Sequence, residues 1–242
     1  VQEYLPFDFY DPLRQDENRW PKERIEMKRS KDRIDEIIFM LKKAYPVSKT
    51  ALNFETPLQI LVATILSAQC TDEQVNKVTP SLFRKYKTAA DFAGANPSVL
   101  EEEIRSTGFF RNKTKSIILA SKKIVDNFGG KVPERMEDLI TLQGVARKTA
   151  NIVLSSGFNK AEGIAVDTHV KRLSYRLGLS KERDPDKIEQ DLLKLVPQKD
   201  WMDFNYMLVN HGRKTCQARK PDCPACVLNS LCPAAQEFFP SR

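Results

Sequence analysis

The sequence predicts an all-α protein, on three observations. Helix-start and helix-stop residues recur along the chain, apolar residues repeat at helical spacing between them, and alternating strand patterns are nearly absent. About ten helices with short connections account for the 242 residues. There is no low-complexity tract, and no repeat with a period of roughly 20–50 residues.

The elements follow in chain order. Residues 1–24 are rich in Pro, Asp and aromatics without periodicity and read as an N-terminal extension, a tail or a surface arm. Thr56 and Pro57 supply an N-cap and a first helical residue before "LQILVATILSA", apolar on all sides and therefore a buried helix. "TDEQ" from Thr71 has the capping-box pattern. Asn96-Pro97 opens a helix that Gly108 closes, and "NKTKSIILASKKIVDNFGG" carries helical periodicity up to a Gly-Gly stop. A short helix, "ERMEDLITL", precedes "LQGVARKTAN", where a turn glycine leads into a new helix. "IAVDTHV" is ambiguous between strand and helix, with Asp167 placed to begin a helix. Asp184-Pro185 opens a helix that Pro197 ends, and Asp200 is expected to cap "WMDFNYMLVNHG".

Composition narrows the function. The longest apolar run falls short of the roughly 18 residues a membrane span needs. The first residues lack the basic-then-apolar layout of a signal peptide, so an intracellular protein without a membrane partner is expected. Net charge is +7, with the excess leaning toward residues 101–150 and the C-terminus. That balance suits a polyanion such as nucleic acid.

Four of the five cysteines, Cys216, Cys223, Cys226 and Cys232, form the pattern C-x6-C-x2-C-x5-C. Four thiolates this close can surround one metal centre. An intracellular protein disfavours disulfides. Zinc usually takes two C-x2-C pairs and only one is present, whereas iron–sulfur clusters tolerate other spacings. Spacing leaves zinc and iron–sulfur about even, with a structural role in either case. Arg219 and Lys220 lie inside the loop, where a metal would pin them for phosphate binding. Cys70 stands alone in apolar context and reads as packing.

The stretch from Leu142 to Asn151 supplies a tight turn at Gly144 followed by a helix start at Ala146 and Arg147. Exposed N–H groups and the positive dipole end there favour a phosphate, and Gly144 permits close approach. A helix–hairpin–helix grips DNA in this way, through the backbone and without reading sequence.

"LQGVARKTANIVL", then "VDTHVKR", then the cysteine pattern, together with Leu66-Ser67-Ala68-Gln69-Cys70-Thr71-Asp72 and Thr107-Gly108-Phe109, resembles the endonuclease III family in order and content. These are DNA glycosylases and abasic-site lyases of the helix–hairpin–helix superfamily, and the resemblance spans roughly residues 25–235. It implies a two-lobed helical fold. One lobe is a six-helix block over 53–162 with the hairpin at about 135–155. The other joins 25–52 to 163–242 and carries an iron–sulfur cluster loop at 216–232. It implies Lys148 as nucleophile, Asp167 as catalytic carboxylate and the four cysteines as ligands of a 4Fe–4S cluster. Gln69 and Phe109 match the positions that fill the gap left by an extruded nucleotide. Asp72 and His169 match polar positions near the site. Gly144, Ala146, Arg147, Arg219 and Lys220 complete the expected DNA-contacting set. Two departures stand out: Gln143 replaces a usual proline, loosening the turn, and Ala146 replaces a second glycine.

The implied activity is excision of oxidised pyrimidines from duplex DNA followed by β-elimination at the abasic site, by an intracellular monomer in base excision repair, in the cytoplasm or nucleoid of a prokaryote. A nucleophilic Lys148 must shed its proton; burial, the helix N-terminus and Arg147 are expected to help. Rival readings are a monofunctional mismatch or adenine glycosylase and a non-catalytic DNA-binding or redox module. Adenine removers carry a glutamate in the early helix, where this chain has "ILVATILSAQ", and monofunctional relatives generally lack the lysine.

Overall fold

The computed structural model describes residues 31–46 and 49–235; the N-terminal extension expected over 1–24 lies outside these. The described residues form eleven α-helices and three short 3-10 turns, with no strand. The helices are α1 (Lys31–Ala44), α2 (Pro57–Leu66), α3 (Asp72–Lys85), α4 (Ala89–Ala93), α5 (Pro97–Glu103), α6 (Phe110–Phe128), α7 (Met136–Leu139), α8 (Arg147–Phe158), α9 (Thr168–Arg176), α10 (Pro185–Leu195) and α11 (Trp201–Lys214).

Local chemistry explains most boundaries. The side chains of Thr56, Asn96 and Asp184 accept from the first N–H groups of α2, α5 and α10, each followed by proline at the first helical position. Gly129 takes the left-handed conformation that ends α6. Several expectations need correction. Thr71 caps α3, but Gln74 does not reach back; its amide bonds Ser106 instead. The helix opened by Asn96 stops at Glu103, and a 3-10 turn (Arg105–Thr107) intervenes before Gly108. Asp200 does not cap α11: its buried carboxylate accepts from Lys42 Nζ on α1. The ambiguous "IAVDTHV" is irregular up to Asp167 and helical from Thr168.

Two hydrophobic cores organise the chain. One is built from α2 through α8 and includes Ile60, Leu66, Leu82, Phe92, Ile117 and Leu154. The other joins α1 to α9, α10 and α11 through Ile37, Leu41, Leu173, Ile188, Phe204 and Leu208. Burying one such side chain is worth roughly 1.5–3 kcal/mol, against about 1 kcal/mol for a cap, so the apolar stripes decide which face turns inward. Leu52 packs in the first core, and half-buried Cys70 lies against it.

Polar contacts stitch the two halves together. Arg147 and Asn151 of α8 meet Glu189 of α10. Ser156 Oγ and Tyr206 OH are 3.0 Å apart, and Arg213 Nη2 donates to Asp72 Oδ2 at 3.2 Å.

Candidate active site and nucleic-acid interface

The hairpin is α7, a turn and α8. Leu139, Leu142 and Val145 are buried and anchor it, leaving Gln143, Gly144 and Ala146 exposed. Gly144 has φ +78, and a Cβ there would stand 2.7 Å from Ser116 Cβ on α6. Glycine is therefore demanded twice, by the backbone and by the neighbouring helix. Ala146 is the extended N-cap residue of α8 and offers no side-chain acceptor. The first N–H groups of α8 are left without a side-chain cap, as an anion site at a helix start requires.

Lys148, the second residue of α8, is exposed, so the burial expected around its amine is absent from the protein alone. Arg147 is not a free charge beside it. Its Nε donates to Glu189 Oε2 at 2.9 Å, and that hydrogen bond raises the Arg147 pKa further. Buried Glu189 also accepts from Asn151 Nδ2 at 2.7 Å. The chain passes from α8 to α9 across this cluster. A Cβ on Gly163 would collide with the Glu189 carboxylate and lie 2.5 Å from Asn151 Oδ1. Asp167 follows four residues later, within about 13 Å of extended chain. Asn151 is itself one helical turn beyond Lys148.

Asp167 begins α9. Its Oδ1 accepts from the N–H groups of His169 and Val170, both at 2.8 Å. Oδ2 carries no hydrogen bond within the described residues, so the cap uses only one oxygen. His169 is half-buried, with Nδ1 3.2 Å from Arg172 Nη2. Burial lowers the His169 pKa most; Asp167 opposes this, and Arg172 and Arg213 reinforce it. Arg172 fastens α9 to the next segment by donating to the carbonyls of Gly212 and Cys216. A Cβ on Gly212 would stand 2.7 Å from His169 Nδ1, so α9 and α11 cross in contact.

Gln69 and Phe109 share an unusual geometry. Both are exposed, and both hold left-handed backbone, at φ 52 and φ 48. Phe109 is 61% exposed and so is no part of either core. Left-handed non-glycine residues are uncommon and cluster at functional loops. Asp72 lies in the first turn of α3 next to the Gln69 turn, where Arg213 pairs with it.

The four cysteines Cys216, Cys223, Cys226 and Cys232 line one cavity with Arg176 and His211. Arg176 Nη1 donates to Cys216 Sγ at 3.2 Å, and Leu228 N donates to Cys226 Sγ at 3.4 Å. Burial pushes Cys226 and Cys232 up to about 11, so their thiolates need a cation at that place. Among the described residues no three His, Cys, Asp or Glu side chains are grouped closely enough for a single metal ion. Four thiols around one cavity, with N–H donors beside Cys216 and Cys226, form a donor set that can hold a metal centre. Exposed Arg219 and Lys220 sit in the loop between Cys216 and Cys223. Arg176 braces that loop through the carbonyls of Gln217 and Ala218.

Sequence reasoning missed Glu189, Asn151, Arg172 and Lys113. The signal for Lys113 was present: with Ile117, Ala120 and Ile124 it lies on the buried stripe of α6. Glu189 stands likewise beside Ile188 and Leu192 on the buried face of α10.

Comparison with known proteins agrees with this geometry. Residues 62–198 match the family model described as "HhH-GPD superfamily base excision DNA repair protein". Endonuclease III of Synechocystis sp. is 57% identical over 210 residues, covering 87% of this chain and 96% of the relative. A solved non-covalent endonuclease III–DNA complex superposes with TM-score 0.82 at 38% identity, covering 88% of this chain and 99% of the other. A trapped endonuclease III–DNA covalent intermediate gives 0.81 at 38% identity, covering 86% and 98%. Among the described residues no helix is long and apolar enough to cross a membrane. The chain belongs to the endonuclease III family of the HhH-GPD superfamily, and is a DNA glycosylase and abasic-site lyase of base excision repair.

Proposed function

We propose that Lys148 is the nucleophile and Asp167 the catalytic carboxylate of an enzyme that removes oxidised pyrimidines from duplex DNA. The reading rests on an exposed lysine at an uncapped helix start and on a carboxylate, at the start of the next helix, that keeps one oxygen free. The Lys148 amine bonds to C1′ of the extruded nucleotide as the bond to the damaged base breaks. Asp167 stabilises the cationic sugar through its free oxygen and assists proton movement. The ring opens to a Schiff base; loss of a 2′ proton then expels the 3′ phosphate, and water releases Lys148. Bound DNA supplies the desolvation that the exposed amine needs.

The two cores correspond in this reading to two lobes, 53–162 with Leu52 added to it, and the described parts of 25–52 and 163–242, and DNA lies between them. Gly144, Ala146, Arg219 and Lys220 hold phosphates; Gln69 and Phe109 occupy the gap in the duplex; Asp72 and His169 shape the polar surroundings. Arg147, paired with Glu189, supports the hairpin more than it contacts DNA. The four cysteines hold a 4Fe–4S cluster, which fixes the basic loop, and no chemical step passes through it. Iron and sulfide content with visible charge-transfer absorbance, lost in Cys232→Ser, checks that assignment. In this reading the enzyme works inside the cell as a monomer.

Borohydride trapping tests the nucleophile. Native protein should crosslink to duplex carrying an oxidised pyrimidine, and Lys148→Gln should not. Undiminished crosslinking by Lys148→Gln overturns the assignment. A panel of duplexes, each with one damaged base, tests the substrate class.

A further inference from the structure

Lys113 lies in the first turn of α6 and is 4% exposed. It has no carboxylate partner among the described residues. Its Nζ donates to two carbonyls instead, Leu66 O and Thr107 O, each at 2.7 Å. These belong to different segments. Leu66 is the last residue of α2, three before Gln69. Thr107 ends the 3-10 turn, two before Phe109. The Lys113 backbone N–H also bonds Phe109 O at 3.1 Å. One residue thus touches both approaches to the two left-handed residues Gln69 and Phe109. Gln74 Nε2 bonding Ser106 Oγ at 2.8 Å adds a second, exposed brace between the same segments. Burying a cation among neutral acceptors is costly, and a neutral residue of similar size would fill the space without that cost. Desolvation lowers the Lys113 pKa, with Cys70 beside Gln69 opposing. A buried ammonium kept under these conditions needs both carbonyls where they are.

We propose that Lys113 is a positioning residue that sets the spacing between the Gln69 and Phe109 loops, so that both side chains enter the duplex together when a nucleotide is extruded. This rests on the reading of Gln69 and Phe109 as gap-filling residues. Two loops that move independently would each meet the stacked duplex alone, and extrusion would lose the concerted support. Cleavage of an abasic site already in single-stranded DNA leaves no gap to fill and is indifferent to the spacing.

Lys113→Met removes the clamp and keeps the side-chain length. Base excision from duplex DNA should fall about 10- to 100-fold in single turnover, while cleavage of a single-stranded abasic site stays within about twofold. The second measurement also shows that the variant is folded; should Lys113→Met not fold, Lys113→Gln, which keeps one donor group, replaces it. A cycle with Gln69→Ala/Phe109→Ala decides the route of action. In that background Lys113→Met should cost nothing further. An equal loss on both substrates, no loss on duplex, or a full additional loss in the double-alanine background overturns the proposal. If Gln69→Ala/Phe109→Ala itself leaves duplex excision unchanged, the gap-filling reading fails first and the clamp with it.

Discussion

Arg147 and Glu189 meet at 2.9 Å, joining the first residue of the helix that carries Lys148 to the buried face of α10. Glu189 accepts from Asn151 as well, so one carboxylate fixes two successive turns of α8. Glu189→Ala would strand a guanidinium and an amide. Loss of a buried partner typically costs 3–5 kcal/mol, and the one-third exposure of Arg147 reduces this to about 2–3 kcal/mol. Chemical denaturation should register that loss. Single-turnover cleavage of an abasic duplex should slow about tenfold, because the helix carrying Lys148, the proposed nucleophile, is no longer held in place.

Gly144 should tolerate no side chain. Gly144→Ala forces alanine to φ +78 and drives its methyl onto Ser116. Together these should remove about 2–4 kcal/mol of stability and weaken DNA binding. Adding Ser116→Gly relieves the collision but not the backbone strain, so the double variant should recover part of the loss in a thermal melt. Full recovery would show that the left-handed backbone carries no cost there.

His169 makes the protein sensitive to mild acid. Its folded-state pKa lies below the usual 6.5, mainly through burial. Between that lowered value and about 6.5 the unfolded chain takes up a proton that the folded protein refuses. The contribution is complete above about pH 6.5 and is lost as pH falls toward the folded-state value. Urea unfolding across that window should show stability declining with acid, and His169→Gln should lessen the decline, leaving the part contributed by His211, which burial pushes down to about 4.

Arg219 and Lys220 are exposed on a loop braced from beneath by Arg176. If they hold phosphates, replacing either with alanine should weaken binding to every duplex alike. The slope of log affinity against log salt should fall by about 0.9 per residue removed. A slope that does not change would place these side chains off the DNA.

The features legible in the sequence were those with local causes. Thr56, Asn96, Asp167 and Asp184 begin helices because a short polar side chain reaches its own next turn, wherever the rest of the chain lies. Asp200 looked the same, but Lys42, 158 residues away, takes its carboxylate. Gln74 was drawn off by Ser106 in the same fashion. Gly144 was readable as a turn, yet half its reason is Ser116, a contact no window around the hairpin contains. Lys148 sat in a readable motif, while its exposure and the pairing of Arg147 depend on how α8 meets α10. Glu189 and Lys113 appeared only as charges on apolar stripes, and tertiary contacts alone give them partners.

Gly163 has a bearing on how the molecule could flex. The strand of chain leaving α8 is wedged there between Asn151 and Glu189 with no room for a methyl group. The crossing is thus tightly packed, not a slack tether. The partly exposed Asp72–Arg213 contact between the halves is, by contrast, one that salt weakens. Added salt should therefore loosen that contact before it disturbs the packing of α8 against Glu189.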